Sequence, residues 1–407
     1  MRISTLSIYG NATSQLNTLQ SALARTQMQL STNRRVLTPA DDPVASARAL
    51  EVSQAREMNS QFATNRASAH SSLSMVEGAL QNAGNLLLDI QQLTVKAGNG
   101  SMLPSDRMAL ATELEGRLED LLGVANSTDG AGGYLFSGYM ATTQPFNRNA
   151  TGASYLGDQG QRMLQVGASR NMPLSASGSA VFENNLTGNG TFQTQADKNN
   201  IGSAVISSGS VTNRSQAEVA GDYTLTFTVA GTPAVTTYTI VDDATGDAVP
   251  GHENQAYGAG KAISFLGRSV DIQGEPGAGD VFTIQQSDKQ SVFTTVTDLI
   301  AALKAPADGS SGKAALSNKL STALDNLKQA HDNVLTVQAS VGAHMKELDY
   351  LDSAGDDLDI QYAATLGDLQ DLDVVKAISD FSQQQTTLQA AQMSFKTMSG
   401  LSLFNYL

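Results

Sequence analysis

Large apolar residues recur at heptad spacing at both ends of the chain. Leu16, Leu23, Leu30 and Leu37 form one such row, joined by Leu19, and Val374, Phe381, Leu388 and Phe395 form another. Three positions after each residue of the second row come Ala377, Gln384, Ala391 and Met398. This spacing predicts two helices of coiled-coil type, the second with one good seam beside one weak one. Gln, Ser and Thr fill the positions between, and after Asp380 the only charged side chain is Lys396. Nucleating such a helix in water is costly and packing must supply most of its stability. Both ends of the chain are therefore expected to need apolar partners.

Between the ends, the period changes twice. The segment TPADDP, 38–43, carries two prolines and breaks the first helix. Phe62, Ala69, Val76, Ala83 and Ile90 then mark one heptad row, with Leu73, Leu80 and Leu87 beside it, over a helical region expected at 44–97. A turn at Asn99-Gly100 and a proline at 104, suited to the first turn of a helix, precede Ala111, Leu114, Leu118, Leu121 and Ala125 at a/d spacing. A matching stripe returns far downstream in Leu320, Leu327, Val334, Val341 and Leu348. One bundle assembled from both halves of the chain accounts for these stripes. In the intervening 139–315 the helical period gives way to Gly, Ser, Thr and Asn with short alternating runs at 204–206, 223–229, 236–241, 269–272 and 281–284. The fold class is α+β multidomain: a long α-helical coiled-coil bundle formed by N- and C-terminal segments, with an inserted β-rich domain. Helix is expected to resume within 292–303.

At 407 residues the chain exceeds one ordinary core. The absence of Cys excludes disulfides, thiolate zinc sites and cysteine nucleophiles. A formal net charge of -14 disfavours nucleic acid and anionic lipid as partners. No apolar run reaches the roughly 18 residues of a membrane span, and the first residues are too polar for a secretory leader. The first 40 residues hold Arg2, Arg25, Arg34 and Arg35 and no acid, whereas 351–381 is rich in Asp, so the two ends are candidates for mutual attraction. His331 and His344 lack a neighbouring ligand set, and Asp352, Asp356, Asp357 and Asp359 lack the glycine and terminal glutamate of an EF-hand loop. No nucleophile, base and acid assemble from spacing alone. Neither an enzyme, nor a cofactor, nor a metal site is expected. Paired, uncharged terminal helices suit a subunit that completes its fold by assembling.

The segment LSTNRRVLTPADDPVASARAL, 30–50, resembles the N-terminal block of the flagellin superfamily, and its DDPV is closer to the hook-associated members than to filament flagellin. SMVEGAL (74–80), NGSMLPSDR (99–107) and YLFSGY (134–139) are similar to the same family's core helices and the exit from them. QPFNRNATGASYLGDQGQRMLQVG, 144–167, is similar to the start of the variable domain in members at the hook-filament junction, and LGDLQDLDVVKAISDF with the final LSLFNYL agrees. GDYTLTF and GEPGAGDVFTI are the better markers within the β-rich insertion.

The resemblance implies a structural adaptor in the bacterial flagellum: a ring of copies between another hook-associated junction protein and flagellin. A flagellin-type filament subunit is the alternative, and a secreted glycan-binding protein a more distant one. It further implies an extracellular location, export by the flagellar type III apparatus without a cleaved signal, and a cytoplasmic export chaperone on the C-terminal segment. The expected division is 1–43 as N-terminal helix and connector, 44–138 as the first part of the bundle, 139–315 as the β-rich variable domain, 316–370 as the second part of the bundle, and 371–407 as the C-terminal helix. Leu16, Leu19, Leu23, Leu30, Val374, Phe381, Leu388, Phe395, Met398 and Leu403 are the expected assembly interface.

Overall fold

Helices occupy both ends of the described residues in a computed structural model that describes residues 5–219 and 221–400. In chain order they are α1 (Thr5–Thr32), α2 (Pro43–Ala97), α3 (Pro104–Ala125), the single turn α4 (Arg214–Ala217), α5 (Val292–Lys304), α6 (Gly309–Gln370) and α7 (Val374–Gly400). Short strands occupy the stretch between α3 and α5. The chain divides into two units, Met1–Thr64 with Tyr350–Leu407, and Asn65–Asp349.

In the first unit, α1 pairs with α7. Tyr9 meets Phe395 edge-on at 6.0 Å while Thr26 bonds Gln384, so the helices run antiparallel. Both helices break at the same level. Arg34 bridges Asp371, the Arg35 amide donates to the Gln370 carbonyl at 2.7 Å, and the Leu372 amide donates to the Asn33 carbonyl. Asn33 takes a left-handed φ of 54° there, a conformation asparagine tolerates better than most residues. The DDPV segment has a structural task at this break. Asp41 accepts the Leu37 and Thr38 amides, and Asp42 accepts the Ala45 amide at 2.9 Å in the manner of an N-cap for α2. Asp373 caps α7 through the Lys376 amide.

The expected attraction between the basic start and the acidic 351–381 takes a different form. Arg25 pairs with Asp41 and Arg35 with Asp42, both acids lying close by in sequence, while a bidentate Arg56–Asp359 pair at 2.7 and 3.0 Å joins α2 to α6. Local pairing wins because the connector already holds Asp41 and Asp42 in place.

In the second unit, the stripes read from the heptads are the helical core. Leu73, Val76, Leu80, Leu87 and Ile90 of α2, Leu114, Leu118 and Leu121 of α3, and Leu320, Leu327, Val334 and Leu348 of α6 are buried. Gln338 of α6 donates to Gln81 of α2, and Arg117 of α3 pairs with Asp89 of α2. Helix α5 supplies Phe293, Val296 and Leu299 to the same apolar interior and is tied to α3 by a Lys304–Glu115 pair.

The inserted strands form a five-stranded antiparallel sheet in the order Gln255–Ala256, Val235–Asp242, Tyr223–Ala230, Val281–Gln286 and Phe192–Ala196. A second sheet is built on Ala262–Phe265, Arg268–Gln273 and Val205–Ile206. Alternate residues, among them Leu225, Phe227, Ile240, Val270, Ile272, Phe282 and Ile284, fill one core. Arg268 is buried within it, donates to the Gly221, Ala217 and Val219 carbonyls, and stacks over Tyr223 at 4.9 Å. Burial pulls its pKa down. In GEPGAGD, Asp280 is buried and accepts the Ile201, Gly202 and Gly277 amides, which fixes the turn.

The strands Phe146–Asn149, Gly152–Tyr155, Met163–Gly167, Arg170–Pro173 and Phe192–Ala196 carry no legible alternation, and strand pairing and side-chain contacts place them instead. Asn126 at the end of α3 exchanges two bonds with the backbone of Phe146. Phe136 of YLFSGY, Phe146 of QPF, Phe182 and Phe293 then stack edge-on or tilted, with centroids 5.0–5.8 Å apart. Gly152, at φ 117°, passes so close to the Phe293 backbone that a Cβ would lie 2.6 Å from its carbonyl carbon.

Candidate assembly surface

The α1/α7 seam follows strict a/d spacing on both helices. On α1, Tyr9, Ala12, Leu16, Leu19, Leu23 and Leu30 are half-buried and Thr26 is buried. On α7, Ala377 is buried and Phe381, Gln384, Leu388, Ala391 and Phe395 are half-buried, while the other described side chains of that helix are exposed. Two helices without a third layer can shield only one side of each seam residue, so the leucines and phenylalanines of this pair keep apolar surface in contact with water.

Leu16, Leu19, Leu23, Leu30, Phe381, Leu388 and Phe395 thus come together in one seam. Val374 and Met398 continue the same register but sit at its ends, 43% and 41% exposed. Leu403 lies outside the described residues. Sequence reasoning left out Tyr9 and Thr26, although both stand on the heptad rows of Leu16 and Leu19, and it treated Gln384 as a gap in packing. The Thr26 hydroxyl donates to Gln384 Oε1 at 2.9 Å and also reaches the Ala22 carbonyl at 3.1 Å, so the polar position is satisfied rather than weak.

Outside the seam, α7 presents a second set of apolar residues to water: Val375 at 81%, Ile378 and Met393 at 69% exposure for the last. Met28 on α1, Val44 and Leu50 on α2 and Ile360 on α6 add exposed apolar surface in the same unit. Large apolar side chains left in water on the helix that also carries the seam provide an interaction surface.

The charged groups of this unit sit at the helix breaks. The Thr38 amide, then the Leu37 amide and the Arg25 guanidinium, hold the Asp41 carboxyl below its ordinary value against an opposing desolvation. The Ala45 amide and Arg35 do the same for Asp42. Hydrogen bonding to Arg56 lowers the carboxyl of Asp359.

Antiparallel terminal helices joined at a stitched break, with a β-rich insertion between the bundle segments, define a flagellin-type assembly subunit. Residues 3–141 match the family described as the bacterial flagellin N-terminal helical region. The chain is 30% identical to the flagellar hook-associated protein 3 of Salmonella typhimurium over 408 residues, covering 99% of each. A crystal structure of the flagellar junction protein FlgL from Legionella pneumophila superposes with a TM-score of 0.72 at 34% identity, over 80% of this chain and 100% of that one. By contrast, Escherichia coli flagellin is 28% identical over 160 residues, 39% of this chain and 28% of that protein. The chain belongs to the flagellar hook-associated protein 3 family.

Proposed function

We propose that this chain is a structural junction subunit of the bacterial flagellum, several copies forming a ring between the hook-side hook-associated protein and the flagellin filament. The observation that carries this reading is the half-buried α1/α7 seam flanked by Val375, Ile378 and Met393, an apolar surface left for neighbouring copies. Leu16, Leu19, Leu23, Leu30, Phe381, Leu388 and Phe395 hold the pair together, and Val374 and Met398 extend the surface that assembly covers. The role is mechanical rather than enzymatic. The extensive match to junction relatives and the partial match to flagellin favour an adaptor over a filament subunit.

Export through the flagellum's own type III apparatus, with a cytoplasmic chaperone on the C-terminal segment, belongs to the same proposal. Such a partner would cover the exposed apolar face of α7 before assembly. Deletion of the gene with immunolocalisation on intact flagella tests the placement. Labelling confined to the hook-filament boundary and hooks that lack filaments are expected; deleted cells with normal attached filaments would refute it. Co-purification of a cytoplasmic partner that is lost on truncating α7 is the expected sign of the chaperone.

A further inference from the structure

Within the second unit, a cavity of about 570 Å³ opens between the α2–α3 turn and the start of α6. It is lined by Gly98, Gly100 and Arg107 from one side and by Gly309, Ser310 and Lys313 from the other. Arg107 is only 7% exposed, and its guanidinium makes no hydrogen bond or ion pair among the described residues. Its Nε is closed off from solvent without a partner, so the remaining access of the group is through the cavity. Arg66 and Arg268, the other buried arginines, both donate to backbone carbonyls. A guanidinium held largely away from bulk water without a counter-charge is destabilising.

The opposite wall is also a donor surface. The amides of Gly309 and Ser310, at the first turn of a 62-residue helix, have no acceptor among the described residues, and the neighbouring Asp308 carboxylate caps neither. Gly309 takes a left-handed φ of 69°, and a Cβ there would meet nothing within 4 Å. Lys313 makes no ion pair and brings a second cation. Asp308 is the opposing charge in the lining. A guanidinium, an ammonium group and free helix N-terminal amides lining one space are the chemistry of oxyanion recognition.

We propose that this cavity binds a small inorganic oxyanion of the phosphate or sulfate type, which clamps the α2–α3 turn to the start of α6. The anion supplies the acceptors that Arg107 and the first turn of α6 lack, and binding stabilises the folded unit by mass action. Isothermal titration of the full chain with inorganic phosphate, and separately sulfate, in chloride buffer of matched ionic strength tests it, alongside thermal unfolding. Saturable binding and a saturable rise in Tm are expected for the wild type. Arg107→Met should abolish both, and in chloride alone should unfold no lower than the wild type, since it removes an unpaired buried charge. Lys313→Gln, on an exposed position, should fold normally and weaken binding about tenfold. No binding heat in the wild type would overturn the proposal, as would a Tm rise that fails to saturate and is equal in the Lys313→Gln protein, the behaviour of general salt exclusion.

Discussion

The Thr26–Gln384 pair makes a sharp test of the terminal seam. Changing both together, Thr26→Val with Gln384→Leu, replaces a hydrogen-bonded layer by an apolar one. Thr26 is buried and Gln384 half-buried, so the new leucine gains roughly half of the 1.5–3 kcal/mol of full burial, and the valine adds a methyl in place of a hydroxyl. Against this stands the lost hydrogen bond, about 1 kcal/mol net. The double variant should therefore stabilise the helix pair by about 1 kcal/mol, or about fivefold in the opening equilibrium. Gln384→Leu alone should sit near the wild type, because the Thr26 hydroxyl keeps the Ala22 carbonyl at 3.1 Å and is not orphaned. Hydrogen exchange of the amides of α1 and α7 in the free chain measures the difference. A polar layer in a coiled coil also fixes register at a cost in stability, so the same variant should form off-register oligomers more readily on sedimentation. Exchange as fast as or faster than in the wild type would refute this account of the seam.

Three further outcomes are expected. The carboxyls of Asp41 and Asp42 are held below their ordinary 3.8 by backbone amides, so their contribution is present above that pH and lost as pH falls through the lower folded values; thermal unfolding followed from about pH 5 to about pH 3 should show it, and Asp41→Asn with Asp42→Asn should flatten the profile. Phe182→Ala empties the centre of the aromatic cluster with Phe136, Phe146 and Phe293 and should cost about 3–5 kcal/mol in urea unfolding. Val375→Asp with Ile378→Asp lies on the exposed face of α7, so the free chain should keep its stability to within about 0.5 kcal/mol per site, while incorporation into flagella and swimming are lost.

Periodicity exposed those parts of the fold that long-range packing builds from one repeated rule. The rows through Leu73, Leu80 and Leu87 and through Leu320, Leu327 and Val334 are buried because a helix turns its heptad positions toward one side. The alternation in Tyr223–Ala230 places Leu225 and Phe227 in the sheet core for the equivalent reason at period two. Phe192–Ala196 escaped because its mostly polar side chains make no alternating pattern and its place depends on pairing with Val281–Gln286, distant in sequence. Met163–Gly167 escaped because its hairpin with Arg170–Pro173 shifts register between Gln165 and Gly167. Arg107 escaped differently. An arginine in the first turn of an amphipathic helix reads as a solvated charge, and only the return of the chain to begin α6 encloses it. The motifs carried the resemblance for concrete reasons: Asp41 and Asp42 stitch a helix break, Phe146 is clamped by Asn126, and Asp280 ties a turn.

Half-burial of the leucines and phenylalanines of the terminal seam connects its stability to its proposed role. A two-helix layer recovers only part of the apolar free energy available to Leu16, Leu23, Phe381 and Leu388, and that part is set against the ordering of two long helices. Neighbouring copies that cover the remaining faces would supply the rest without new chemistry, so under the proposed role the same residues would serve folding in the free chain and cohesion in the ring. Small and polar residues at Ala377, Gln384 and Ala391 keep the first contribution low and leave the second to be gained on assembly. A chain with larger side chains in that row would hold its terminal hairpin more firmly before export and would gain proportionately less from its neighbours afterwards. Under the proposed export route, a marginal seam is the arrangement that permits both threading and later locking in place.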